Sequence, residues 1–111
     1  FLEMKDLMGD KFAPMIQKYL INSARYIAQA EEALTNGNAK LLADSAHPLK
    51  SSSAALGVIG VSKLAADIEQ EARVIHDTGQ SDLSSLSARL KELRNLFFDS
   101  EYILKKEAGL D

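Results

Sequence analysis

His47 and Lys50 are the two residues of this chain whose types and spacing best suit chemistry. A histidine is a covalent nucleophile at neutral pH when one ring nitrogen is unprotonated. A lysine three residues on, on the same helical face, sets a cation beside any oxygens that arrive there. Leu42, Leu49 and Leu56 recur at seven-residue intervals and form one apolar stripe, with Ala46, Ser53 and Ile59 beside it. His47 precedes Leu49 by two residues, about 200° around a 3.6-residue helix, so its side chain points away from the core. Asp44, Lys50, Ser51 and Ala54 share its face at helical spacing. An ordinary solvated face with a chance histidine carries the same pattern, and periodicity alone leaves both readings open.

The stretch also resembles a known family. His-x-Leu-Lys-x-Ser-Ser-x-x-Leu-Gly is the signature of histidine-containing phosphotransfer (HPt) domains, and here it reads His47, Leu49, Lys50, Ser52, Ser53, Leu56, Gly57. The similarity continues through Leu64 to Ile68-Glu69, which looks like the family's Leu-Glu pair in the next helix, and covers roughly residues 8 to 98. The resemblance implies a four-helix bundle that takes a phosphoryl group from a receiver-domain aspartate onto His47 and passes it to another receiver. Such a chain is a relay carrier in two-component signalling, without turnover of its own, either alone or as part of a hybrid sensor histidine kinase. By the same resemblance Glu69 orients His47. Mg²⁺ and the catalytic carboxylates belong to the partner receiver, so no cofactor or metal is expected here. Two positions depart from the family pattern: Ser51 stands where glycine is usual, and Pro48 is less usual after the histidine.

A phosphohistidine carrier has chemical requirements of its own. The imidazole must be exposed, its tautomer held by a partner on one nitrogen, and a cation placed near the phosphoryl oxygens, a role Lys50 suits. The surroundings must also admit another protein's active site. Ser51, Ala54 and Gly57 are small enough to form such a docking ridge, although Gly57 is equally well placed as a helix C-cap. His76, beside Asp77 near a helix end, is read as structural or solvent-exposed. Asp44 and His47 are too few ligands for a metal site.

These residues need elements to carry them, and the chain reads as helices throughout. A short helix over 2–8 is broken at Gly9-Asp10, with Asp10 a candidate N-cap for a long amphipathic helix over about 11–35. Pro14 falls in its first turns, where a missing N–H is tolerated. Tyr19 and Tyr26 belong to its inner face by spacing, a partner-binding pair being the alternative. Asn36-Gly37-Asn38 ends it, and Asn38 caps the central helix from Ala39 to about Gly57–Gly60. Pro48 inside that helix is expected to bend it just after His47. Val61, Leu64, Ala65, Ile68, Ala72 and Ile75 mark the next helix, with Ser62 near its start and its end before Thr78-Gly79. Ser81 or Asp82 caps the last, with Leu83, Leu86, Leu90, Leu93 and Phe97 inside and Leu96, Phe98, Tyr102 and Ile103 extending the stripe. Residues 105 to 111 are expected to fray.

Four long amphipathic helices joined by short loops predict an all-α, antiparallel up-down-up-down four-helix bundle, with the short N-terminal helix capping one end, as one domain over 1–111. With 46% hydrophobic and 26% charged residues the composition is ordinary for a globular chain. No cysteine occurs, which rules out disulfides and thiolate metal sites and is compatible with the cytoplasm. Sixteen acidic against 13 basic residues, a net charge of -3, disfavour nucleic acid. No apolar run approaches the ~18 residues of a membrane span, and no signal-peptide pattern opens the chain. Phe1 in place of an initiating Met is what a piece of a longer protein would have. The expected partners are receiver domains, with no nucleic acid or membrane contact, and the expected state is a monomer. Two rival readings stand: a non-catalytic helical interaction module, and a helix-turn-helix DNA binder built on Gly60-Val61-Ser62, whose reader helix carries Lys63 but also Asp67, Glu69 and Glu71.

Overall fold

The protein is described from a computed structural model, which covers residues 2–80 and 82–110. Among the described residues it contains helices and turns and no strand. A short helix α1 (Leu2–Met8) is followed by four long ones: α2 (Phe12–Thr35), α3 (Ala39–Ala55), α4 (Ile59–Asp77) and α5 (Ser87–Ala108).

The helix ends follow from local chemistry. Asn38 caps α3, its side-chain oxygen accepting from the Leu41 N–H at 3.0 Å. All four long helices close with one hydrogen-bond pattern around a glycine just past the last turn. In α3 the Val58 N–H donates to the Ser53 carbonyl at 2.8 Å and the Gly57 N–H to Ala54 at 3.1 Å. The helix after Asn38 runs without interruption through Pro48, and the Ser52 hydroxyl donates to the Pro48 carbonyl at 2.9 Å.

Leu42, Leu49 and Leu56 are buried, as are Ala46 and Ser53 beside them. They meet Ile16, Tyr19 and Leu20 of α2, Val61, Ala65 and Ile68 of α4, and Leu90, Leu93 and Phe97 of α5. Each fully buried leucine, isoleucine or phenylalanine contributes about 1.5–3 kcal/mol relative to an exposed one. The Tyr19 hydroxyl is 2.7 Å from Ser53 Oγ, so a polar link ties α2 to α3 inside this core.

Several expectations need correction. Ile59 is exposed, because α3 ends at Ala55 and Ile59 opens α4, where it no longer continues the Leu42–Leu56 stripe. For the same reason Gly60 lies inside α4 and not at the end of α3, whereas Ser62 falls in the first turn of α4, close to its start as expected. Asp10 caps nothing: Gly9–Lys11 form a 3-10 turn that leads directly into α2, and the backbone at Lys11 is already helical. Asp82 does not cap α5: its side chain accepts from the Ser84 N–H at 3.0 Å in a local turn, and a 3-10 turn, Ser84–Leu86, lies between it and the helix (Ser81 lies outside the described residues). Phe98, Tyr102 and Ile103 are exposed, and Leu104 takes the inner position. The chain beyond 105 is not frayed over its described part: α5 continues to Ala108 and closes on left-handed Gly109.

Candidate functional site

His47 lies mid-way along α3, on the side opposite the Leu42–Leu49–Leu56 stripe, and 58% of its side chain is exposed. Beneath it lies Glu69 of α4, whose side chain is only 8% exposed. Glu69 occupies that spot because Ala65, Ile68 and Ala72 seat α4 in the core, and the residue after Ile68 then faces α3. His47 Nδ1 is 2.8 Å from Glu69 Oε2. An ionised carboxylate only accepts, so this contact selects the tautomer with the proton on Nδ1 and leaves the Nε2 lone pair available.

Two cations converge on the same carboxylate. Lys50 Nζ is 2.8 Å from Oε1, an ion pair rather than an aligned hydrogen bond. Arg73, one turn along α4, donates to Oε2 from Nε at 3.1 Å and Nη2 at 2.7 Å. Its Nη1 lies 3.5 Å from Asp44 Oδ1, and Lys40 Nζ is 2.7 Å from Asp44 Oδ2. Burial would by itself raise the Glu69 pKa, but the contacts from Lys50, Arg73 and His47 outweigh it and hold the carboxyl at about 2, against an ordinary 4.5. Asp44 is also lowered, chiefly by its hydrogen bond from Lys40, partly opposed by desolvation. The site is therefore an exposed imidazole resting on a carboxylate that stays ionised across the physiological range.

Ser51 and Ala54 are exposed beyond His47 on α3. Gly57 is exposed too, but it sits in the turn with φ +77°, a conformation that costs other residues roughly 1–2 kcal/mol. A backbone reason for that glycine is thus present, and a Cβ there would meet nothing within 4 Å. Tyr19 is buried, whereas Tyr26 is half-buried and borders an apolar groove of about 480 Å³. Met4, Met8, Met15 and Pro48 also line it, so the groove flanks α3 on the side away from α4. His76 is exposed in the last turn of α4. Among the described residues no group of three His, Asp or Glu side chains is placed to hold a metal ion.

The structure brings together His47, Lys50 and Glu69, and adds Arg73, which sequence reasoning passed over. Its one signal is spacing: Arg73 lies four residues after Glu69, where a helix surface sets an ion pair.

Against known proteins, the family model described as the Hpt domain matches residues 14–99. No curated protein and no solved structure gives a significant match.

Proposed function

The chain belongs to the Hpt domain family, and from that premise we propose that His47 is its phosphoryl carrier, loaded by the aspartyl phosphate of a receiver domain and unloaded onto a second receiver. Hpt domains are phosphocarriers of phosphorelays, and they work with receiver domains. The single observation that carries the assignment to His47 is an exposed ring whose Nδ1 is 2.8 Å from buried Glu69. The Nε2 lone pair attacks phosphorus, the P–O bond to the aspartate breaks, and the carboxylate leaves with its electron pair. Nδ1 keeps its proton throughout. The ring gains positive charge as the N–P bond forms, so its bond to Glu69 becomes charge-assisted at that moment. In the reverse sense the ring leaves phosphorus as neutral imidazole, ready for the next cycle.

Lys50 stabilises the phosphoryl oxygens in this reading, Glu69 orients the ring, and Ser51, Ala54 and Gly57 form the ridge against which the receiver docks. The domain has no cofactor of its own, Mg²⁺ being supplied by the receiver, and no independent turnover. The four long helices form an antiparallel up-down-up-down bundle over one domain, with α1 at one end. Contacts supporting this are Tyr19 with Ser53 and Gln29 with Ser45, Asp44 with Arg73 and Lys50 with Ser62, Glu71 with Arg89, and Glu31 with Arg94. A monomer in the cytoplasm, alone or within a hybrid sensor kinase, fits the same reading. No helix among the described residues is long and apolar enough to cross a membrane. The helix-turn-helix alternative is disfavoured, since α3 and α4 touch along their length, from Lys50–Ser62 to Asp44–Arg73, instead of crossing steeply.

The reading is tested by unloading. A chain carrying labelled phosphate, mixed with an unphosphorylated receiver and Mg²⁺, is expected to lose its label to the receiver's aspartate. Label that stays on the chain with every receiver that can load it would favour the non-relay interaction module.

A further inference from the structure

Lys50 cannot serve two anions at once. In the structure its ammonium is 2.8 Å from Glu69 Oε1, yet the carrier reading, on which this inference rests, requires it at the phosphoryl oxygens during transfer. If Lys50 were the only cation on Glu69, its departure would strand a buried carboxylate, which is costly. Arg73 removes that difficulty. Its guanidinium grips Oε2 with two N–H groups, at 3.1 and 2.7 Å, the same oxygen that receives His47 Nδ1. Its third nitrogen is held 3.5 Å from Asp44, which Lys40 in turn engages at 2.7 Å. The arginine is therefore tethered on two sides, and its planar fork fixes the carboxylate in a way a single ammonium does not.

We infer that Arg73 is a positioning residue for phosphoryl transfer: it keeps Glu69 ionised and aimed at His47 Nδ1 while Lys50 leaves Glu69 for the incoming phosphoryl group. Two consequences follow. Without Arg73, Lys50 stays committed to Glu69, because that carboxylate then has no other cation. And with two N–H donors fewer on Oε2, the carboxylate turns more freely and the Nδ1–H tautomer of His47 is less strictly enforced. Arg73 does not touch the reacting atoms and acts only through Glu69 and Lys50.

The test uses the 111-residue chain and a receiver domain phosphorylated with acetyl phosphate. Single-turnover transfer to Arg73→Gln is expected to slow about tenfold, the lower end of the loss seen when the partner behind a ligating histidine is removed at metal sites. The ¹⁵N shifts of His47 should move from a fixed Nδ1–H pattern toward a tautomer mixture, while receiver affinity and helicity stay near those of wild type. Arg73→Lys retains the charge without the fork and should fall between the two. Lys50→Ala should cost less in the Arg73→Gln background than alone, because Lys50 is already held back there. Unchanged transfer in Arg73→Gln, strictly additive effects, or a rate loss with unaltered His47 shifts would overturn the inference. A wild-type chain that takes no label overturns the carrier reading itself, which separates the two failures.

Discussion

Replacing Glu69 by glutamine keeps the shape of the side chain and removes its charge, so it isolates what the carboxylate does. The folded carboxyl sits at about 2 against an ordinary 4.5. A difference of that size corresponds to roughly 3 kcal/mol of linked stability at full strength. Lys50 and Arg73 are partly open to solvent, with side chains 37% and 45% exposed, and screening brings the expected contribution to about 1–2 kcal/mol. The sign is set by the lowered folded value. The stabilisation is complete above pH 4.5 and is lost as pH falls toward 2. Urea unfolding at a series of pH values is the assay. Glu69→Gln should be about 1–2 kcal/mol less stable at neutral pH, and its gap from wild type should close through that acid window. A gap of the same size at pH 3 as at pH 7, or none at pH 7, would refute the idea that an ionised carboxylate at this position organises the three groups around it.

Four further outcomes are expected. Lys50→Ala should slow transfer from a phosphorylated receiver while leaving the thermal midpoint nearly unchanged, since the side chain is partly exposed; equal rates would remove Lys50 from the site. Ala54→Gln adds bulk on the exposed ridge without backbone strain, and should weaken receiver binding with little loss of stability. Gly57→Gln should do the same but also destabilise by roughly 1–2 kcal/mol because of the left-handed backbone, so a docking loss confined to Gly57→Gln would count against the ridge. Tyr19→Phe deprives buried Ser53 of its 2.7 Å partner and should lower stability by about 1–2 kcal/mol in urea unfolding without touching transfer.

The range of each interaction decides whether it is legible in the sequence. The span of α2 and the start of α3 depend on local signals, namely helical periodicity, the Asn36-Gly37-Asn38 break and the Asn38 cap, and they lie where those signals put them. The two 3-10 turns have no comparable signature, so Asp10 reads as a cap in the sequence, although the chain turns at left-handed Gly9 and is back in helical backbone by Lys11, the residue that precedes α2. At the C-terminus the inner stripe steps from Leu93 to Phe97 to Leu104, whereas Phe98, Tyr102 and Ile103 are apolar but face outward. Composition alone does not separate those two faces. The end of α5 also gains order from contacts that no local pattern carries: Lys5 pairs with Glu107 at 3.4 Å across the length of the chain. The site divides in the same way. His47 and Lys50 share one helical face, which spacing reveals. Arg73 lies on another helix, and its approach to Asp44 depends on how α4 sits against α3, which spacing within α4 does not record.

The most direct test of the central claim is where the phosphoryl group resides. Incubation with a phosphorylated receiver should label the wild-type chain on one residue, and that label should be lost in acid and survive base, as a phosphoramidate does and a serine ester does not. The contrast matters because Ser51, Ser52 and Ser53 follow His47 closely. His47→Gln should take no label yet keep its full helicity, because an outward-facing side chain contributes little to the core. A label that persists in His47→Gln, or one that withstands acid, would contradict the account.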